Sequence, residues 1–142
     1  MLSNFISTKA FHKTKNLVIA NSTRWLKRHY DEVKKENVTM YGTTNTTVQW
    51  LTDFEKDNMP NFAVRRFEIS KGGTIQLHSH NWEHQFYMLE GKNCKITNGS
   101  DYTVSMKPGE IVFVPPNEPH SVINQGDDTL VILCMVPNYT KK

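Results

Sequence analysis

Four histidines of this 142-residue chain, His78, His80, His84 and His120, have the type and spacing from which a metal site is built. His78 and His80 are two apart in a segment of strand character, and alternate residues of a strand point to the same face. Their imidazoles can therefore meet one ion. His84 follows after Asn81-Trp82-Glu83, a break short enough for a turn to return its ring beside the first pair. His120 opens a late strand after a proline-rich corner, Pro115-Pro116-Asn117-Glu118-Pro119. Four neutral nitrogens from three strands suit a divalent transition metal such as Mn, Fe, Co, Ni, Cu or Zn. A lone strand histidine is more often a surface residue or a satisfied core group, and an isolated His-x-His is weak evidence; a third histidine four residues on is harder to dismiss. Gln76 shares the face of His78 and His80, and burying three such groups costs several kcal/mol unless something satisfies them. A metal would satisfy them.

The elements that must position these residues are strands. From Thr39 onward, short β-type runs alternate with turn chemistry at intervals of about 8 to 12 residues, the pattern of a sandwich or barrel. The expected runs are Thr47 to Leu51, Phe62 to Ile69, Thr74 to His80, His84 to Leu89, Asn93 to Thr97, Tyr102 to Met106, Ile111 to Val114, His120 to Asn124 and Thr129 to Val136. Between them lie turns such as Lys71-Gly72-Gly73, Asn98-Gly99 and Lys107-Pro108-Gly109, where Gly supplies positive φ and Pro a preset one. No stretch of the body has a 3.6-residue period, and no linker divides it.

Composition bounds the rest. With 37% hydrophobic and 11% aromatic residues the chain suits one globular domain, and disorder is excluded. No apolar run approaches the roughly 20 residues that span a membrane, so no membrane partner is expected. Two cysteines, Cys94 and Cys134, point to a reducing compartment or to independence from any bridge. The net charge of +3 hides an asymmetry: residues 1–30 hold six basic residues and no acidic one, leaving 11 basic against 14 acidic in the remainder. The expected organisation is a basic extension over 1–30 and a barrel domain over 31–142. The extension is either an organelle transit peptide, which would make the protein mitochondrial or organellar, or a disordered or loosely docked arm on a cytoplasmic protein. It lacks an Arg-rich run, so no nucleic-acid partner is expected.

Two segments carry a family resemblance. Gly72, His78, His80, His84 and Gly91 are spaced as in the first cupin motif, and Gly109, Pro115, Asn117, His120 and Asn124 as in the second. With Pro60 to Ile69 and Leu133 to Pro137, the sequence resembles the small one-domain cupins over about residues 45 to 137. The resemblance implies an all-β fold: a double-stranded β-helix, or jelly-roll, barrel with a short, irregular or partly helical N-terminal extension. It also implies a four-histidine site, because His84 stands where many cupins have a glutamate; Glu83 as the ligand, or His84 as a residue that orients another, are the alternatives. Mn or Fe is the metal expected first, with Ni, Cu, Co or Zn as the others. Asn117 stands where the second motif has glycine, and Asn tolerates positive φ better than most residues, so the turn should be retained.

A site of four histidines leaves the ion's charge uncompensated and favours anionic, bidentate oxygen ligands such as enolates, α-keto or β-dicarbonyl groups. The function expected is a metal-dependent enzyme of the oxygenase or C–C cleaving type, acting on a small oxygenated substrate. Its rivals are a non-catalytic binding or sensing module and a metal-dependent isomerase or lyase of a sugar derivative. Phe86 and Met88 share strand parity with His84 and should face inward, as should Ile132 and Cys134 on the last strand. Trp82 is placed at the cavity mouth, and either Arg65 or Arg66, but not both, points in to anchor a carboxylate. Glu83, Tyr87 and Cys134 are weak catalytic candidates. Small cupins pair through exposed strands, so a homodimer is expected.

Overall fold

Runs of β-branched and aromatic residues broken by Gly, Pro and Asn leave little choice but sheet. The structure, a computed structural model, describes residues 25–138. Nine strands run through these residues: β1 Glu36–Asn37, β2 Thr44–Thr52, β3 Phe62–His78, β4 His84–Glu90, β5 Cys94–Thr97, β6 Thr103–Met106, β7 Ile111–Val114, β8 His120–Asn124 and β9 Leu130–Pro137. All pairings are antiparallel, in the order β6-β5-β8-β3-β9-β4-β7, with β2 on β3 and β1 on β2. The sheet curls into a nearly closed barrel. Of the expected runs, Ile111 to Val114 and His120 to Asn124 are found as drawn.

One expectation is corrected. Phe62 to Ile69 and Thr74 to His80 are not two strands but one, β3, of 17 residues. Gly72 takes φ 68°, and a side chain on Gly73 would collide with the carbonyl oxygens of Asn45 and Ser70 at 2.8 Å. The two glycines therefore bend the strand without reversing it. Its first half pairs with β9 and its last residues with β8, which lets one strand serve both walls. The strand also stops at His78, so His80 lies just beyond it.

The core is the set of inward residues of these strands. Leu130, Ile132, Cys134 and Val136 alternate along β9 and are each at most 1% exposed. They pack with Ala63, Phe67 and Ile69 of β3, Phe86 and Met88 of β4, and Val122 of β8. Each large aliphatic side chain buried in this way contributes about 2 kcal/mol. The outer face of the edge strand β7 leaves Ile111 and Phe113 more than half exposed.

The expected extension lies mostly outside the described residues, at positions 1–24. From residue 25 onward the chain crosses the outside of β2 and β3. Arg28 grips the Asp57 carboxylate at 3.0 and 2.7 Å and donates to the Leu51 carbonyl. The buried Gln49 amide donates to the carbonyls of Tyr30 and Val33. A short 3-10 turn, Met40–Gly42, then carries the chain over the mouth of the barrel.

Candidate metal centre

Three strand ends and one turn bring the histidines together. His78 closes β3 and His120 opens β8, where they are direct register partners. His84 opens β4, paired with Val114. His80 is held by the second motif's corner, because the Asn117 amide donates to its carbonyl at 2.7 Å. Asn117 does take positive φ, 65°, as its identity allows. The ring of His120 lies 4.3 Å from that of His78, 5.1 Å from that of His80 and 4.5 Å from that of His84.

The hydrogen bonds fix which nitrogen faces inward. Nδ1 of His78, His80 and His120 lies 2.7, 2.7 and 2.8 Å from the carbonyls of Gln76, Trp82 and Glu118. A carbonyl only accepts, so each Nδ1 carries the proton and each Nε2 keeps its lone pair. Among the described residues these three offer ligand atoms within 4.8 Å of one another. Nε2 of His84 and Nε2 of His120 are buried with no partner, an arrangement that costs free energy as it stands and suits a cation. The cluster can hold a metal ion.

Electrostatics agree with a cluster of neutral ligands. Burial, reinforced by the neighbouring imidazoles, pushes His84 down to about 2. Burial also brings His120 to about 4, and lowers His78 and His80 from the ordinary imidazole value. The Arg65 guanidinium opposes protonation of all four.

Of the two arginines, Arg65 is the one that points in. Its Nη2 lies 3.0 Å from Sγ of Cys134, and it lines a cavity of ≈ 80 Å³ with His78, His84 and Phe86. Arg66 faces outward, donates to Gln49 and Glu68, and lies against the Tyr30 ring. Cys134 is fully buried, 3.6 Å from Nδ1 of His84. Burial raises its pKa. Trp82 stacks on His80 at 4.2 Å and 2°. Met88 and Ile132 belong to the core.

Besides Arg66, Met88 and Ile132, three further expected site residues are not brought to the cavity. The Gln76 side chain is exposed, and only its carbonyl serves the site, because the pairing of β3 with β8 shifts register between Ile75 and His78, so that Gln76 and His78 no longer share a face. Glu83 is exposed in the turn, and Tyr87 falls on the outward face of β4 opposite Ile111 and Leu133. Several lining residues went unforeseen, Tyr41, Trp50 and Phe67 among them. Tyr41 stacks on His78 at 4.5 Å and 9° from the turn before β2, and Trp50 lines the cavity. The sequence signal for Tyr41 was the Tyr-Gly pair, a turn marker ahead of a strand.

Comparison with known proteins agrees with this geometry. The chain is 27% identical over 118 residues to a glucose-6-phosphate isomerase of Thermococcus onnurineus, matching 76% of this chain but only 60% of the isomerase. It is 28% identical over 108 residues to an oxalate-binding protein of Thermotoga maritima, covering 74% of this chain and 88% of that one. Among solved structures, the polyketide cyclase RemF of Streptomyces resistomycificus superposes with a TM-score of 0.73 at 32% identity, covering 80% of each chain. A cupin-domain model matches residues 65–136, just over half the chain, and spans all four histidines as well as Arg65 and Cys134, so the protein belongs to the cupin family.

Proposed function

We propose that His78, His80, His84 and His120 together hold a divalent transition metal, and that the loaded protein is an enzyme acting on a small oxygenated substrate. The observation that carries this is the pair of buried, partnerless Nε2 atoms on His84 and His120, beside two further imidazoles whose Nδ1 protons are committed to carbonyls. Mn or Fe would supply Lewis acidity and, with a redox-active ion, dioxygen chemistry of the oxygenase or C–C cleaving kind. The chain's own residues would hold the rings in register, exclude water with Phe86 and Trp82, and orient the substrate with Arg65.

Similarity to the polyketide cyclase and to the isomerase favours a second reading, in which the ion stays redox-inert and only polarises oxygen. One experiment separates the two. Protein loaded with Fe, Mn or Zn is screened against small carbonyl substrates in air and under anaerobic conditions. Turnover that stops without oxygen supports the oxygenase; turnover by the Zn form that ignores oxygen supports the second reading. Absence of turnover with every metal favours a binding or sensing role.

A further inference from the structure

The cavity beside the histidines has an unusual wall chemistry. Tyr41, Trp50, Phe67 and Phe86 line it together with aliphatic side chains, Thr43, His78 and His84, and Arg65 is its single charged residue. The guanidinium lies against two rings: its central carbon is 5.4 Å from the Trp50 ring and 5.2 Å from the Phe67 ring, within cation–π range of each. Its Nη2 reaches the Cys134 sulfur, a weak acceptor, and its Nε is buried with no partner. Among the described residues no carboxylate pairs with Arg65, whereas Arg28 and Arg66 each have one. A half-buried cation left without a counter-charge, in a mostly apolar and aromatic cavity where Thr43 Oγ1 is also buried without a partner, is arranged for an anion that arrives from outside.

We propose that the ligand of this site is a small carboxylic acid with an apolar carbon body, of the 2-oxo acid class. Its carboxylate pairs with Arg65, its body packs on Trp50, Phe67 and Phe86, and its remaining oxygen faces the histidines. The cavity volume of ≈ 80 Å³ favours such a compact acid over a sugar phosphate. The apolar walls disfavour acids that lack a carbon body, because the aromatic surface would then stay wet or empty. This inference rests on the proposed metal site only for the placement of that remaining oxygen; the anion preference comes from Arg65.

Calorimetric titration of the metal-loaded protein tests it, with pyruvate as the probe, its methyl ester as the neutral analogue and oxalate as the acid without a body. Metal content is measured in parallel. The expected result is binding of the acid about tenfold or more tighter than either the ester or oxalate. Arg65→Met should abolish the preference for the acid over the ester while leaving metal content unchanged, and Arg65→Lys should restore part of it. An ester that binds as well as the acid, oxalate that binds better, an unchanged Arg65→Met, or no binding of any probe would each overturn the proposal. The ester comparison needs no variant, so a misfolded Arg65→Met does not weaken the test. If the purified protein takes up no metal, the functional reading fails separately, and the same titration on metal-free protein still decides the preference for the anion.

Discussion

The amide of Asn117 donates to the carbonyl of His80 at 2.7 Å, tying the corner before β8 to the turn after β3. One hydrogen bond thus links the turn that carries His80 to the corner that leads into His120. It exists because Asn117 sits at φ 65°, where a side chain with a branched β-carbon is strained.

Asn117→Gly should therefore keep or slightly raise the melting temperature and retain metal. Asn117→Val should destabilise the fold by about 1–2 kcal/mol and lower metal occupancy, because His80 and His120 both depend on this corner. Thermal melts with elemental analysis of the two variants check this. Equal behaviour of Gly and Val would contradict it.

Tyr41 is a second strained position, at φ 57° and ψ 24°, stacked on His78. A tyrosine held in that region costs about 1–2 kcal/mol relative to glycine. Tyr41→Gly should raise the melting temperature of the metal-free protein yet weaken metal binding by about tenfold, the effect expected when a ligand's supporting contact is lost. Tyr41→Phe, which keeps the ring, should change neither. A chelator competition titration reads the affinity, and Tyr41→Gly binding as tightly as wild type would show that the stack positions nothing.

The metal-free protein should be sensitive to acid below the ordinary imidazole range. All four cluster histidines have lowered folded-state values, His120 to about 4 and His84 to about 2. As pH falls from above 6.5, the unfolded chain takes up protons that the folded chain refuses, so stability is full above that point and declines towards about pH 4 through His120 and on towards about 2 through His84. Melting curves across this window check the sign. A melting temperature that rises on acidification would contradict the burial assigned to these rings.

Gln49 should matter more than an outer-face amide usually does. It is 3% exposed and its side chain bonds Tyr30, Val33 and Arg66. Gln49→Leu should cost about 2 kcal/mol by leaving those groups unpaired. A denaturant midpoint equal to that of wild type would show that the segment around Tyr30 and Val33 does not depend on it.

The histidines and the strands that carry them were legible in the sequence because both follow short-range rules. Period-two spacing places His84, Phe86 and Met88 inward, and proline-rich corners end strands. The choice between Arg65 and Arg66 was not legible: parity says only that they face opposite ways, and the register of β3 against β9 decides that Arg65 meets Cys134. The bend at Gly72-Gly73 read as a turn because the same residues serve both purposes. Gln76 lost its inward place because the register of β3 against β8 shifts between Ile75 and His78. Tyr41 reaches the site from the turn before β2, and Trp50 through the pairing of β2 with β3, where it lies opposite Arg65; both are long-range contacts that no local pattern reports.

The central claim is that these histidines bind a metal, and elemental analysis of untagged protein purified without chelator tests it most directly. About one divalent transition ion per chain is expected in the wild type, with almost none in His120→Ala and a clear loss in His84→Ala. Wild-type protein that stays metal-free after incubation with Mn, Fe, Co, Ni, Cu and Zn would contradict the account, and unchanged metal in His84→Ala would reduce the site to three ligands.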